Sequence, residues 1–209
     1  MRGLDMKCWT VVASMLAVLF SAHGAMHSFS FNGEVQSIIQ NENDTLGNID
    51  VGDSFSGSFS YSDVPDSNST VGLGGYNQQA TLSLTLGENQ IDYDGYVYIR
   101  AWDNLTGIDG FDFAVDDEFG DWSLWWFGLQ LIDSTQTAYN DDSLPTSFDV
   151  SDFNNPLFRL DGSRLSTGEQ FEVEMEVQDI SPIPEPSTIT LLGIASAFLW
   201  KVRKGKLFR

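Results

Sequence analysis

Closely spaced aspartates are the first residues of this chain that could do chemistry, because their carboxylates suit a hard cation. Calcium takes six to eight oxygen ligands from carboxylates and carbonyls, preferably on loops. An EF-hand loop is not complete, since alignment on Gly95 places Gln90 and Ala101 where that loop needs carboxylates. The pattern leaves a structural calcium ion open and predicts no other cofactor. The candidate ligands are Asp92, Asp94, Asp116, Asp117 and Asp121.

Tryptophans are the second chemical resource of the chain. An exposed indole beside Asp or Asn suits stacking on a sugar ring, whereas a buried one would fill a core that has no disulfides. Adjacent Trp125 and Trp126 point to opposite faces of a regular strand, so both enter the core only if both faces are covered. Both interpretations stay open for four residues: Trp102, Trp122, Trp125 and Trp126.

Nucleophilic catalysis finds little support in the sequence. The two histidines, His23 and His27, lie near the N-terminus, and the one cysteine is Cys8. No Ser–His pair, Cys–His pair or histidine zinc site is therefore expected in the body of the chain. A glycoside hydrolase needs two carboxylates that flank the scissile bond, but the many acids single out no pair. We expect a protein that is not an enzyme, with a polysaccharide-modifying hydrolase as the least favoured alternative.

Both ends of the chain are typical of an exported protein. Basic residues, an apolar run at 11–20 and small residues at 22–24 predict a signal peptide over 1–24. The 14 uncharged residues of 187–200 would span about 21 Å as a helix. A bilayer core is about 30 Å thick, so this predicts a short single transmembrane helix. A basic stop then predicts a cytoplasmic end: Lys201, Arg203, Lys204, Lys206 and Arg209.

The motif Pro184-Glu185-Pro186-Ser187, with the apolar run and basic end that follow it, resembles the PEP-CTERM sorting signal of Gram-negative bacteria that make extracellular polysaccharide. The resemblance assigns 182–209 to that signal. It implies an exosortase, a membrane-embedded transpeptidase-like enzyme, as a partner that cleaves near the triplet. It also implies transient anchoring in the inner membrane, followed by release to the cell surface or extracellular matrix. Segments of the body such as 51–61 resemble PEP-CTERM ectodomains, a group without an established activity.

The segment 25–181 is strongly acidic. Of the 30 Asp and Glu residues, only Asp5 and Glu185 lie outside it, and only three of the ten Lys and Arg residues lie inside it. It therefore carries 28 negative and three positive formal charges, a net charge of −25. Such a body excludes nucleic acid and anionic lipid as partners, because phosphate binding requires basic neutralisation.

Period-two alternation of apolar and polar residues runs through this segment, for example over 29–35, 55–61, 82–86 and 171–177. Three further segments, 96–99, 111–115 and 124–132, are apolar on both faces and predict central strands. The pattern predicts an all-β fold, an antiparallel β-sandwich or jelly roll of eight to nine strands. Turns are predicted at six places: Val64-Pro65-Asp66, Gly87-Glu88-Asn89, Asp94-Gly95, Asp109-Gly110, Asp161-Gly162 and Thr167-Gly168.

These features predict a secreted, non-enzymatic protein of the cell surface or exopolysaccharide matrix, sorted and processed by an exosortase. A carbohydrate- or calcium-binding β-sandwich module is the alternative from a binding class. Exopolysaccharide is the expected partner of the tryptophans if one of them is exposed.

Overall fold

The computed structural model of the protein describes residues 25–63, 67–68, 74–105, 107–139 and 143–184. They form an all-β fold, as predicted, with two short 3₁₀ turns at Glu42–Asp44 and Val150–Asp152. The predicted signal peptide, most of the sorting motif, the spanning segment and the basic stop lie outside the described residues. The strands are β1 (Met26–Asn41), β2 (Ser54–Ser62), β3 (Ser67–Asn68), β4 (Gly74–Leu86), β5 (Asn89–Leu105), β6 (Ile108–Phe119), β7 (Trp122–Asp133), β8 (Asn155–Arg164) and β9 (Gln170–Pro182).

Within the part of the chain that the structure describes, no helix is long and apolar enough to cross a membrane.

The strands form one antiparallel sheet in the order β2-β1-β9-β8-β7-β6-β5-β4-β3. β2 also pairs with β4, from Phe55 opposite Leu86 to Ser60 opposite Thr81. This last ladder joins the two sides of the sheet into a closed barrel of eight strands, with the two-residue β3 attached only to β4. Closure gives each of these eight strands a paired neighbour on both sides. β5 and β6 pair only from Tyr98 opposite Ala114 to Leu105 opposite Ile108.

The predicted sandwich or jelly roll is therefore wrong in its architecture, although the number of strands is right. Alternation of apolar and polar residues shows that each strand has a solvent-exposed face and a buried face. A sandwich and a closed barrel both have such strands. The difference lies in long-range pairing: in a sandwich β2 and β4 would end separate sheets, whereas here they share a ladder. The strands apolar on both faces are not central strands between two layers, because a closed barrel has only one inside.

Aromatic side chains fill the inside of the barrel. Phe59 of β2 packs against Phe113 of β6 with ring centroids 5.1 Å apart, and Phe31 of β1 packs against Phe158 of β8 at 5.0 Å. All four rings are at most 1% exposed. An eight-stranded barrel is just wide enough for side chains to fill, so these contacts across the ring form its core.

One end of the barrel, where residues 25 and 184 also lie, is covered by the connection between β7 and β8. Phe148 from this connection lies edge-on between Phe29 and Phe111, at centroid distances of 5.0 and 4.9 Å. The Tyr61 hydroxyl donates a hydrogen bond to the carbonyl of Pro145 in the same connection.

The opposite end is covered by the connection between β1 and β2, which buries Leu46 completely. Arg164 fixes this connection through two hydrogen bonds to the Thr45 carbonyl, at 3.1 and 3.2 Å. Because the interior is packed and both ends are covered, the outer wall is the surface that a ligand can reach.

Candidate functional site

The outer surfaces of β5 and β7 carry aromatic rings on the two sides of β6. Tyr96 and Tyr98 alternate with buried residues along β5, so both rings point away from the core. They are 67% and 40% exposed, and Trp125 on β7 is 48% exposed. Large exposed rings that are neighbours on a polar surface are typical of interaction sites.

β7 contains one residue more than its neighbours between two consecutive pairs of the ladder. Leu124 and Phe127 of β7 are three positions apart, but their partners on β6 are only two positions apart. The ladder with β8 shifts at the same place. Asp116 on β6 therefore faces two residues of β7, Trp125 and Trp126, which is the arrangement of a β-bulge.

The bulge places both indoles on the outer face. Leu124 and Phe127, on either side of them, are 1% and 0% exposed and belong to the core. Trp125 and Trp126 line the same outer depression. The expectation that these adjacent residues point to opposite faces is therefore wrong, because it assumes a strand without a bulge.

These rings form a groove, here called the aromatic groove, of about 350 Å³. Ala114 lies on its floor, where it pairs with Tyr98 on one side and with Gly128 on the other. The small residues between the rings keep the floor low. The aromatic side chains of the lining are Tyr96, Tyr98, Trp125 and Trp126, and its polar side chains are Asn77 and Asp116.

A second depression, here called the acidic depression, adjoins the aromatic groove and measures about 720 Å³. Tyr96 and Asp116 line both, so the two form one continuous surface. Its four carboxylates are exposed, and all four are candidate calcium ligands from the sequence: Asp92, Asp94, Asp116 and Asp117.

Neutral donors hold two of these carboxylates in place. Asp92 accepts hydrogen bonds from the Ser83 hydroxyl at 2.6 Å and from the Gln90 amide at 2.9 Å. Asp94 accepts one from the Gln79 amide at 3.0 Å. These bonds orient the carboxylates without cancelling their charge.

Tyr93 supports the acidic depression from below. Its hydroxyl lies 3.1 Å from the Asp117 carboxylate and 2.8 Å from the Tyr96 carbonyl. Burial, the hydrogen bond to Asp117 and the charges of Asp117 and Asp94 raise the pKa of Tyr93 to about 12. The phenol therefore stays protonated at neutral pH and remains a donor to these oxygens.

The fifth candidate calcium ligand, Asp121, lies apart from the others. It accepts hydrogen bonds from the Ser166 backbone at 2.9 Å and hydroxyl at 2.8 Å. These bonds, with the nearby Arg164 guanidinium, hold the pKa of Asp121 below its usual range. Among the described residues, no group of three or more acidic, histidine or cysteine side chains is arranged to hold a metal ion.

The other two tryptophans pack within the barrel wall. Trp102 is 3% exposed and lies between the Arg100 guanidinium, 4.6 Å from its ring, and Gly110. Trp122 contacts Phe171 edge-on at 5.5 Å, and Arg164 stacks on it at 4.3 Å. Neither lines the aromatic groove.

The arginines of the described chain are all engaged in ion pairs. Arg100 pairs with the buried Asp112, and Arg159 pairs with Asp161 and Glu172 at 2.9 and 2.6 Å. Arg164 lies 3.5 Å from Asp121. No arginine lines the aromatic groove or the acidic depression, so no described cationic side chain neutralises their carboxylates.

The sequence proposed five aspartates as calcium ligands and four tryptophans as rings that stack on sugars. Six of these nine side chains meet on this surface: Asp92, Asp94, Asp116, Asp117, Trp125 and Trp126. Three lie elsewhere: Trp102, Trp122 and Asp121. The sequence interpretation did not include Tyr96, Tyr98 and Ala114 as site residues. Their signal was the two runs at 96–99 and 111–115, which are apolar on both faces because one face forms the core and the other contributes to the aromatic groove.

Comparisons with protein-family models, with curated proteins and with solved structures found no match to this chain.

Proposed function

We propose that this protein is an exported, non-enzymatic component of the cell surface or exopolysaccharide matrix, and that it binds polysaccharide in the aromatic groove. One observation carries the proposal: Tyr96, Tyr98 and Trp125 are exposed together around a small-residue floor on the outer wall of the barrel. The predicted signal peptide and the PEP-CTERM-like tail, of which the structure describes only 182–184, support export and sorting by an exosortase.

The chemistry of the aromatic groove suits a sugar ring. A pyranose presents an apolar C–H face, which gains from contact with a flat aromatic ring, and a hydroxyl edge, which needs hydrogen-bond partners. Tyr96, Tyr98 and Trp125 supply the flat rings. Asn77 and Asp116 supply polar groups at the margin of the same groove.

The position of the aromatic groove favours a polymer over a small sugar. Because the groove lies on the outer wall of the barrel rather than in its packed interior, the internal units of a long chain can reach it. A matrix protein needs this kind of contact, in which it holds a polysaccharide without cutting it.

Substitution of Trp125 tests the proposal. The full-length protein, kept in a neutral detergent because of its apolar tail, is titrated by calorimetry with a soluble β-linked glucan and with N-acetylglucosamine oligomers. We expect Trp125→Ala to weaken binding by about tenfold or more, since loss of a ring contact costs on the order of 1.4 kcal/mol. Trp125→Phe, which keeps a ring, should lose less.

Leu165→Ala is the matched control. Leu165 is 49% exposed, like Trp125, but it lies in the turn after β8, outside the aromatic groove. Its substitution should leave binding unchanged. The proposal is wrong if no glycan binds the native protein, or if Leu165→Ala and Trp125→Ala reduce binding equally while both variants melt like the native protein.

A further inference from the structure

The aromatic groove does not end in neutral surface but continues into the acidic depression. Asp116 belongs to both and faces the two indoles across the β-bulge. A polysaccharide that stacks on Trp125 and Tyr96 would therefore bring its neighbouring units against the carboxylates of this depression.

No cation of the described chain pairs with these carboxylates. Asp92 and Asp94 receive hydrogen bonds from neutral side chains, and the group beside Asp117 is a phenol that stays protonated. The three arginines of the described chain are paired with other acids. A ligand must therefore bring its own positive charge to complement this surface.

We propose that the site selects a polysaccharide that carries protonated amines, such as a chain of hexosamine units with free amino groups. This inference rests on the proposed function. A primary ammonium has three donors and forms strong charge-assisted hydrogen bonds with carboxylates such as Asp116 and Asp94. The same ammonium is attracted to the face of Tyr96, which is 67% exposed between the two depressions.

The same charges select against other polymers. A chain of uronic acids would bring carboxylates against Asp92, Asp94, Asp116 and Asp117, and like charges placed together oppose binding. A fully N-acetylated hexosamine chain has the ring faces to stack on Trp125 but no positive charge. The order of affinity should be free amine, then N-acetylated, then uronic acid.

Two hexasaccharides of the same backbone provide the test: a β-1,4-linked glucosamine hexamer and its fully N-acetylated form. Both are titrated into the full-length protein in detergent, with a chelator present to remove divalent cations. The buffer is mildly acidic, so that the amines of the glucosamine hexamer are protonated. We expect the free-amine hexamer to bind about tenfold more tightly, with a difference that shrinks as salt is added.

Asp116→Asn should reduce the preference for the free amine to a few-fold, because the amide no longer attracts an ammonium. The matched control is Glu34→Gln, which removes one exposed charge from β1, on the opposite side of the barrel. It should leave the preference unchanged, because the contact with the ammonium is local.

The outcomes separate this inference from the proposed function. Equal, Trp125-dependent binding of the two hexamers would overturn the preference for amines and leave polysaccharide binding standing. An equal loss in Asp116→Asn and Glu34→Gln would also overturn it, because it would show attraction by net charge alone. Absence of any Trp125-dependent binding would overturn the proposed function itself.

Discussion

Asp133 ends β7 and organises the connection that covers one end of the barrel. Its carboxylate accepts hydrogen bonds from the Thr135 backbone at 2.7 Å, the Thr137 backbone at 2.8 Å and the Ala138 backbone at 3.1 Å. Burial opposes its ionisation, but the hydrogen bonds outweigh burial and hold the pKa of Asp133 below its usual range. The carboxylate therefore binds backbone amides of its own chain and has a structural role.

Replacement of Asp133 should destabilise the fold in a pH-dependent way. Asp133→Asn loses charge-assisted bonds, so we expect about 1.5–3 kcal/mol less free energy of unfolding at neutral pH. Because the folded-state pKa is lowered, the contribution is complete above the unfolded pKa of about 3.9 and is lost as the pH falls towards the folded-state value. Urea unfolding across this range measures the difference between the two proteins.

The control for this prediction is Asp179→Asn, since Asp179 is an exposed residue of β9 that accepts a hydrogen bond from the Ser181 hydroxyl. It should change stability little at any pH. A deficit in Asp133→Asn that stays constant from neutral to acid pH would contradict the role assigned to the carboxylate.

Asp112 differs from Asp133 because a side-chain cation, not backbone amides, satisfies it. Burial raises the pKa of Asp112, while the Arg100 guanidinium and the Gln130 amide act in the opposite direction. Both partners face it across the ladders of β5 and β7. A buried carboxylate with a raised pKa can mark a catalytic acid, but here the arginine and the amide occupy its oxygens as part of the barrel wall.

The β-bulge in β7 converts an ordinary strand into one wall of the aromatic groove. Without the extra residue, Leu124 and Phe127 could not both point inwards with two indoles between them. The ladders with β6 and β8 shift at the same point, so a single additional residue accounts for both irregularities. The bulge serves the outer surface, since regular alternation would still fill the core.

Deletion of Trp125 should therefore leave the barrel folded but destroy the aromatic groove. The deletion restores regular alternation, with Leu124 and Phe127 inside and Trp126 outside. We expect cooperative unfolding with a loss on the order of 1 kcal/mol, but no measurable binding of the glycans that the native protein binds. Thermal unfolding and calorimetric titration of the variant check both parts.

Deletion of Gly128 is the contrasting control. Gly128 lies in a regular part of the ladder, opposite Ala114 and Arg159. Its loss would shift the register by one residue, so that each later side chain of β7 would point to the opposite face of the sheet. This variant should therefore not fold. If the two deletion variants were equally stable, Trp125 would not be the extra residue that forms the bulge.

Glycines inside strands explain which turns the sequence predicted wrongly. Gly87 and Gly168 lie in turns with positive φ values of 58° and 74°, as predicted. Asp109-Gly110 instead continues β6, because a Cβ on Gly110 would lie 2.2 Å from the Trp102 ring. Asp94-Gly95 and Asp161-Gly162 likewise lie within β5 and β8. An Asp-Gly pair in the sequence therefore does not distinguish a turn from a strand position where an aromatic ring packs directly against the glycine.

Closure of the barrel is the part of the fold that local patterns could not predict. Alternation along β2 and β4 was evident from the sequence, and so were the strands and their dry faces. β2 and β4 form a ladder that starts at Phe55 opposite Leu86, and the connection between them includes the small β3. Patterns within each strand do not determine which strands pair across such a connection. The same holds for the candidate site: Trp125 and Asp116 were both predicted, but only register places them opposite each other.

The closed barrel ends just before the predicted sorting motif. β9 lies between β1 and β8 and ends at Pro182, after which the Ile183 backbone donates a hydrogen bond to the Ser28 carbonyl at 2.8 Å. Pro184, where the predicted sorting motif begins, is exposed. The chain therefore leaves the barrel immediately before the motif, on the side where residue 25 enters it.

Deletion of Pro184–Arg209 should leave the barrel intact and abolish its delivery. We expect the melting temperature to change by less than about 4 °C, which corresponds to about 1 kcal/mol for a chain of this size. Processing and surface deposition, followed in the native host by immunoblotting of cell fractions and medium, should be lost because the proposed address is absent. A longer deletion that begins at Gln170 also removes β9, opens the barrel between β1 and β8, and should not fold. If the shorter deletion is deposited at the surface like the full-length chain, the tail is not the sorting signal and export depends on the N-terminal segment alone.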